Sequence, residues 1–230
     1  MQEISSADSM ILFENVSKSY RTSNAAKVVL DKATFTIPSG YNLGILGGNG
    51  AGKSTLLRLI SGAEQPDRGR VARRARVSFP IGFGGTFHGH LTGKQNVLFV
   101  ARVYGADASK VVEFVRDFSE LGDYLNMPVN TYSSGMAAKL AFGMSLAIDF
   151  DIYLVDEVTE VGDARFRKKC ADAFVERMKR SDIIMVSHNS QTIKAYCDRA
   201  AILSNGQLDF FESVDEAMAA HRRMMGASNA

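Results

Sequence analysis

With 230 residues, 46% of them hydrophobic, the chain is long enough for one large α/β domain or for a core domain with a smaller subdomain, and it is too apolar to be disordered. A net charge of +2 is too small to point to nucleic acid, and no apolar run is long enough to span a bilayer. The polar opening, residues 1–10, lacks the apolar centre of a secretory signal, and Cys170 and Cys197 have neither metal nor redox spacing, so they read as ordinary buried thiols in a reducing cytoplasm.

In chain order, residues 11–16 and 33–37 read as strands, and the apolar run 42–46 as a third. That run enters a glycine-rich loop, and residues 53–61 then read as a helix ended by Gly62. A short strand is expected at 76–79, followed by a loop rich in Gly and Phe over 79–93. From 94 to 125 the pattern is helical: Val97, Val100, Ala101 and Tyr104 share one face, and Val111, Val112, Val115 and Phe118 another. A further helix over 134–148 precedes a strand at 152–156. Alternation then resumes with helix 165–179, strand 183–187, helix 191–197, strand 200–203, the turn Asn205-Gly206 and strand 207–211. A last amphipathic helix, 214–225, places Val214, Ala217, Met218 and His221 on one face. The βα alternation predicts an α/β fold with a mainly parallel sheet covered by helices, and the stretch 80–148 interrupts it as a helical insertion.

The glycine-rich loop, Gly47-Gly48-Asn49-Gly50-Ala51-Gly52-Lys53-Ser54-Thr55, matches G-x-x-x-x-G-K-[ST], and it lies between a strand and a helix as that motif requires. Its glycines allow successive backbone N–H groups to point inward and form an anion nest at a helix N-terminus. Lys53 is expected to reach the β- and γ-phosphates of ATP, and the Ser54 hydroxyl to bind Mg²⁺. An apolar strand ends in Asp156-Glu157. Asp156 is suited to hold Mg²⁺, through water, and Glu157 to act on an attacking water as general base.

The order of these motifs resembles the ATP-binding cassette (ABC) family, specifically its transporter ATPases, over residues 11–211. The family's Leu-Ser-Gly-Gly-Gln signature looks like Tyr132-Ser133-Ser134-Gly135-Met136 here, with three of its five positions altered. Ser133, the Gly135 amide and the helix start retain the means to meet a γ-phosphate. The resemblance implies a head-to-tail homodimer with ATP between its faces, adenine stacked on Tyr20, Asp163 touching the opposite subunit, and His188 as the switch histidine at the γ-phosphate. The neighbourhood of Asp163 departs from the usual Ser-Ala-Leu-Asp and reads Glu160-Val161-Gly162-Asp163.

A second departure is the absence of Gln between residues 70 and 93, where the family usually carries one. The loop ending Leu91-Thr92-Gly93, the Tyr-Ser-Ser-Gly-Met signature and the Asp-Glu-Val run together resemble the polysaccharide-export branch. The chain's short C-terminal region is most similar to capsular-polysaccharide export ATPases of Gram-negative bacteria; O-antigen and teichoic-acid exporters are the alternatives. The resemblance implies one ABC ATPase domain over 1–230. Its core is expected at 11–79 and 150–211, with an antiparallel β portion, a helical subdomain near 80–148 and a C-terminal helix near 214–225. It also implies peripheral attachment to the cytoplasmic face of the inner membrane, integral-membrane permease subunits as partners, polysaccharide contacted through the permease, and no nucleic acid. A groove for the permease is expected between the loop 79–90, with Phe79, Phe83 and Phe87, and the helix beginning near Lys94. A soluble ABC ATPase of translation or repair would carry two cassettes or a long coiled-coil insertion, neither of which occurs here. A non-catalytic binding module is opposed by the presence of Lys53, Asp156, Glu157 and His188.

Overall fold

Runs of Val, Ile and Leu too short for a helix are driven into strands that neighbours cover on both faces. In the computed structural model, which describes residues 9–21, 26–81, 87–156, 163–187 and 189–227, five strands form one such sheet. Its centre is β3 (Leu43–Leu46), all four residues of which are buried. β5 (Ile152–Asp156), β6 (Asp182–Val186) and β7 (Arg199–Ser204) run parallel to it, and β8 (Gln207–Phe211) returns antiparallel through the Asn205-Gly206 turn. The strand order is β5-β6-β3-β7-β8. Asn42 fixes the start of β3. Its side-chain oxygen accepts from the Ile183 amide at 3.0 Å, and its carbonyl accepts from the amides of Asp198 and Arg199.

Residues 11–16 and 33–37 prove to be parts of longer strands, β1 (Ser9–Arg21) and β2 (Ala26–Pro38), which pair antiparallel. The third strand of that sheet, β4 (Arg68–Arg73), has no counterpart in the sequence reading, because Arg-Gly-Arg-Val-Ala-Arg carries charge where a strand pattern needs apolar residues. As an edge strand it leaves Arg68 and Arg70 in solvent, while Arg73 is half-buried and donates to the Leu59 and Ile60 carbonyls. The expected strand at 76–79 is not one: Val77 makes a single parallel bridge to Ile152. Arg76 accepts at its carbonyl from the amides of Asp151 and Ile152 and donates its own amide to the Asp151 carboxylate, and Ser78, fully buried, adds three more bonds. Its amide donates to the Ile152 carbonyl at 2.9 Å, and its hydroxyl accepts from the Leu154 amide at 2.9 Å and donates to the Phe79 carbonyl at 2.8 Å.

These sheets belong to a first compact unit, Met1–Pro80 with Asp151–Glu157 and Asp182–Ala230. It also contains α1 (Lys53–Ser61), α6 (Ser190–Tyr196) and α7 (Val214–Ala227). One apolar core fills it, built from Ile11, Phe13, Ile45, Leu56, Ile60 and Leu154 with their neighbours, and Phe13 stacks on Phe35 at 4.4 Å. The core thus takes side chains from both sheets and from the inner side of α1.

The second unit, Ile81–Phe150 with Val158–Ser181, is helical. The stretch read as helical from 94 to 125 contains two α-helices, α2 (Gly93–Val103) and α3 (Ala108–Ser119), separated at Gly105 and restarted by Asp107, whose carboxylate caps α3. α4 (Ser134–Ala147) and α5 (Ala164–Met178) complete it. Val97, Val100, Ala101, Val111, Val112, Val115 and Phe118 are buried, as their periodicity requires. Cys170 joins Phe118, Leu146 and Phe166 in an apolar cluster. Burial pushes the thiols of Cys170 and Cys197 up to about 12.

Replacing Ser78 by Ala leaves the buried Leu154 amide without its acceptor. The expected cost is about 1–3 kcal/mol, with a Tm lower by about 2–4 °C per kcal/mol. Urea unfolding of Ser78→Ala indistinguishable from wild type would show that Ser78 does not hold this segment to β5.

Candidate functional site

Six of the seven α-helices among the described residues begin on a side-chain cap: Thr92, Asp107, Ser133, Asp163, Asn189 and Ser213 each accept from an amide in the first turn. α1 does not. Its N-cap is Gly52, with no side-chain hydrogen bond, and its first turn has no acidic residue. The amides at its start and the positive end of its dipole therefore suit an anion supplied from outside the helix. Gly52 adopts φ 104°, and a Cβ there would lie 2.3 Å from Val29 Cγ1, so the loop tolerates no side chain at this point.

Lys53 is buried, 6% exposed, and its ammonium donates to the carbonyls of Gly47 at 2.8 Å and Gly48 at 3.0 Å. The charge is thus held at the mouth of the loop formed by Gly47, Gly48, Asn49, Gly50, Ala51 and Gly52. The sheet brings Asp156 level with this loop. Asp156 and Ile45 both pair with Val186, from opposite sides, and Ile45 lies just before Leu46 and Gly47. Ser54, half-buried on α1, and Asp156 offer a hydroxyl and a carboxylate, hard oxygen donors that fit Mg²⁺ carried with phosphates.

Tyr20, 36% exposed near the end of β1, is anchored by its hydroxyl. It donates to Glu64 Oε1 at 2.5 Å, accepts from Arg58 Nη2 at 3.2 Å, and lies 3.4 Å from Thr55 Oγ1. The Thr55 hydroxyl also accepts from Arg58 at 3.0 Å. Glu64 is further paired with Arg58 and Lys18, each at 2.9 Å. Burial alone would raise the Glu64 carboxyl, but the hydrogen bonds from Tyr20, Lys18 and Arg58 outweigh it and hold it at about 2. Arg58, Glu64 and Lys18 were not legible as site residues, since nothing local marks them. Lys27 escaped as well. It pairs with Tyr20 across the hairpin, and its ammonium would be 2.8 Å from a Cβ at Gly50.

Glu157 and His188 lie outside the described residues, as does Phe83. Ser133, Gly135 and Asp163 lie in the helical unit. The Ser133 hydroxyl caps α4 by accepting from the Met136 amide at 3.2 Å. Asp163 caps α5, and the Phe166 amide at 2.8 Å holds its carboxyl below the usual range. Phe79 is buried, so it contributes nothing to an exposed patch, and Phe87 is half-buried. The exposed apolar residues of α2 are instead Phe99 and Val103, one turn apart and 63% and 61% exposed.

The depressed Glu64 carboxyl fixes a pH dependence. Its contribution to stability is complete above the ordinary value of 4.5 and is lost as pH falls toward about 2. Glu64→Gln is expected to be less stable than wild type at pH 7 and to lose stability less steeply between about pH 5 and 3. Parallel urea-midpoint curves for the two proteins across that range would remove Glu64 from the acid response.

The ABC transporter family profile matches residues 30–160. The polysialic acid transport ATP-binding protein KpsT of Escherichia coli is 48% identical over 93% of this chain and 99% of its own length. The capsule polysaccharide export ATP-binding protein CtrD of Neisseria meningitidis is 49% identical over 90% of this chain and 96% of its own. Among solved structures, a dimeric ATP-binding cassette in a post-hydrolysis state with ADP and phosphate superposes with a TM-score of 0.70 at 22% identity, covering 89% of this chain and 99% of that one. With its phosphate loop, its level carboxylate strand and these relatives, the chain belongs to the ABC transporter family.

Proposed function

We propose that this chain is the ATP-hydrolysing subunit of a capsular-polysaccharide exporter, working as a homodimer on the cytoplasmic face of the inner membrane beneath a separate integral-membrane permease. The observation that carries the nucleotide reading is the uncapped start of α1 beside the buried Lys53 ammonium. The substrate class rests on the capsule and polysialic acid relatives, each about half identical over nearly the whole chain.

Within this reading, the amides of Gly48 to Thr55 and the Lys53 ammonium bind the phosphates, and Tyr20 presents its ring to adenine. Its hydroxyl anchor on Glu64 and Arg58 fixes the ring's orientation before the base arrives. Mg²⁺, when bound, would supply positive charge that offsets the negative charge of the phosphates. Ser54 and Asp156 would hold it. Glu157 orients and deprotonates the attacking water, and His188 meets the γ-phosphate. Ser133, Gly135 and the α4 start serve the nucleotide of the opposite subunit, with Asp163 at the same interface. The permease docks on the exposed Phe99 and Val103 stripe of α2, on the helix that the sequence placed beside the groove, and buried Phe79 takes no part.

Lys53→Ala is expected to lower ATP affinity by roughly 10-fold or more while the fold persists. Calorimetric titration of the folded variant with wild-type affinity would sink the nucleotide assignment. Glu157→Gln should bind ATP, hydrolyse it slowly and accumulate as a dimer on size-exclusion chromatography; a monomer under every nucleotide condition would count against the homodimer. Phe99→Ala with Val103→Ala should reduce surface polysaccharide in cells several-fold while the purified variant keeps its ATPase rate. Unchanged surface polymer at matched expression would eliminate this stripe as the docking face.

A further inference from the structure

The C-terminal helix reaches the phosphate loop. Val214 and Ala217 of α7 are buried, at 5% and 0% exposure, which seats the first turns of the helix on its own unit. Its later turns carry His221 to a cleft of about 400 Å³ shared with Gly47, Gly48, Asn49, Ser187 and Ser190. The approach is close: a Cβ on Gly48 would lie 4.0 Å from Met225 Sδ.

This corner of the loop is the one where Lys53 ends. The Lys53 ammonium rests on the carbonyls of Gly47 and Gly48, and both residues line the cleft. A phosphate-loop lysine reaches the β- and γ-phosphates, so the cleft adjoins the terminal-phosphate end of the site. His221 lines this cleft, and its Nε2 is buried with no hydrogen-bond partner among the described residues. A buried polar atom left in that condition costs stability, and it is a place where a ligand's matching group is worth most. The cleft is also lined by Asn49, Ser187, Ser190 and Arg222, whose side chains can each donate a hydrogen bond. With the Lys53 ammonium close by, these donors suit an anionic ligand rich in acceptors. Burial, and then the nearby Lys53 charge, lower the proton affinity of His221. Both effects favour the neutral ring, and a neutral imidazole carries one N–H to give.

We propose that His221 of the C-terminal helix donates a hydrogen bond to the terminal phosphate of the bound nucleoside triphosphate. The proposal rests on the phosphate-loop reading above and adds a residue to it from a helix far along the chain. It also gives α7 a part in telling triphosphate from diphosphate, because ADP has no group at that end of the loop.

The test is isothermal titration of the full chain with Mg²⁺ and either ADP or a non-hydrolysable ATP analogue. His221→Ala is expected to weaken the triphosphate analogue by about 10-fold, the scale of one hydrogen bond to a charged acceptor, and to leave ADP within about 2-fold. His221→Gln, which keeps a donor, should recover most of the difference. Equal losses for both nucleotides would show that His221 only packs α7, and unchanged affinity for both would show that it touches nothing; either result overturns the proposal. Lys53→Ala serves as the control. If it weakens the analogue while His221→Ala does not, the phosphate loop stands and this inference alone falls. If Lys53→Ala binds as wild type, both fall together.

Discussion

The start of α1 sets the terms for the rest of the first unit. A helix that begins on glycine, with no side-chain cap and no acid in its first turn, leaves its amides and its dipole turned toward whatever lies beyond the loop. Lys53 adds a full charge at the same place. Concentrating this much positive potential in a partly buried loop is unfavourable for the free chain, and it makes binding of a polyphosphate correspondingly favourable. The sheet serves this arrangement. β3 is its central strand, flanked by β6 and β7, so the loop that follows β3 is held from both sides, and the same row of the sheet brings Asp156 level with it.

Around that centre the polar side chains divide into two sets. Tyr20, Arg58, Glu64, Lys18 and Thr55 are already satisfied by one another, and they define a rigid platform. At the other end of the loop, the Gly47 and Gly48 carbonyls hold the Lys53 ammonium, and His221 lines the adjoining cleft with no described partner at its Nε2. A site that is finished at one end and reactive at the other grips a ligand by its constant part and responds to its variable part.

Much of this was legible because it is local. The loop motif, its flanking strand and helix, and Asp156 at a strand end are each fixed by residues a few positions apart, and periodicity placed the buried faces of α2 and α3 correctly. What escaped was long-range or contrary to pattern. β4 is charged and lies at a sheet edge, and residues 76–79 join the start of β5 through scattered bonds from Arg76 and Ser78 rather than through a regular ladder. The partners of Tyr20 come from α1 and the turn after it, and the seat of α7 beside Gly48 follows from packing that no local spacing encodes. Phe79 looked like surface because it opens a loop rich in glycine, yet it is buried.

The two cysteines have a practical meaning. Each thiol is buried and pushed up to about 12, so almost none of it is thiolate at neutral pH, and the thiolate is the form that reacts with maleimides and disulfides. The native chain therefore behaves chemically as though it had no cysteine. A single thiol introduced on a solvent-facing position of α2 or α7 would be the reactive one, and spin labels or crosslinkers could follow the two units through a nucleotide cycle without first stripping Cys170 and Cys197 from the core.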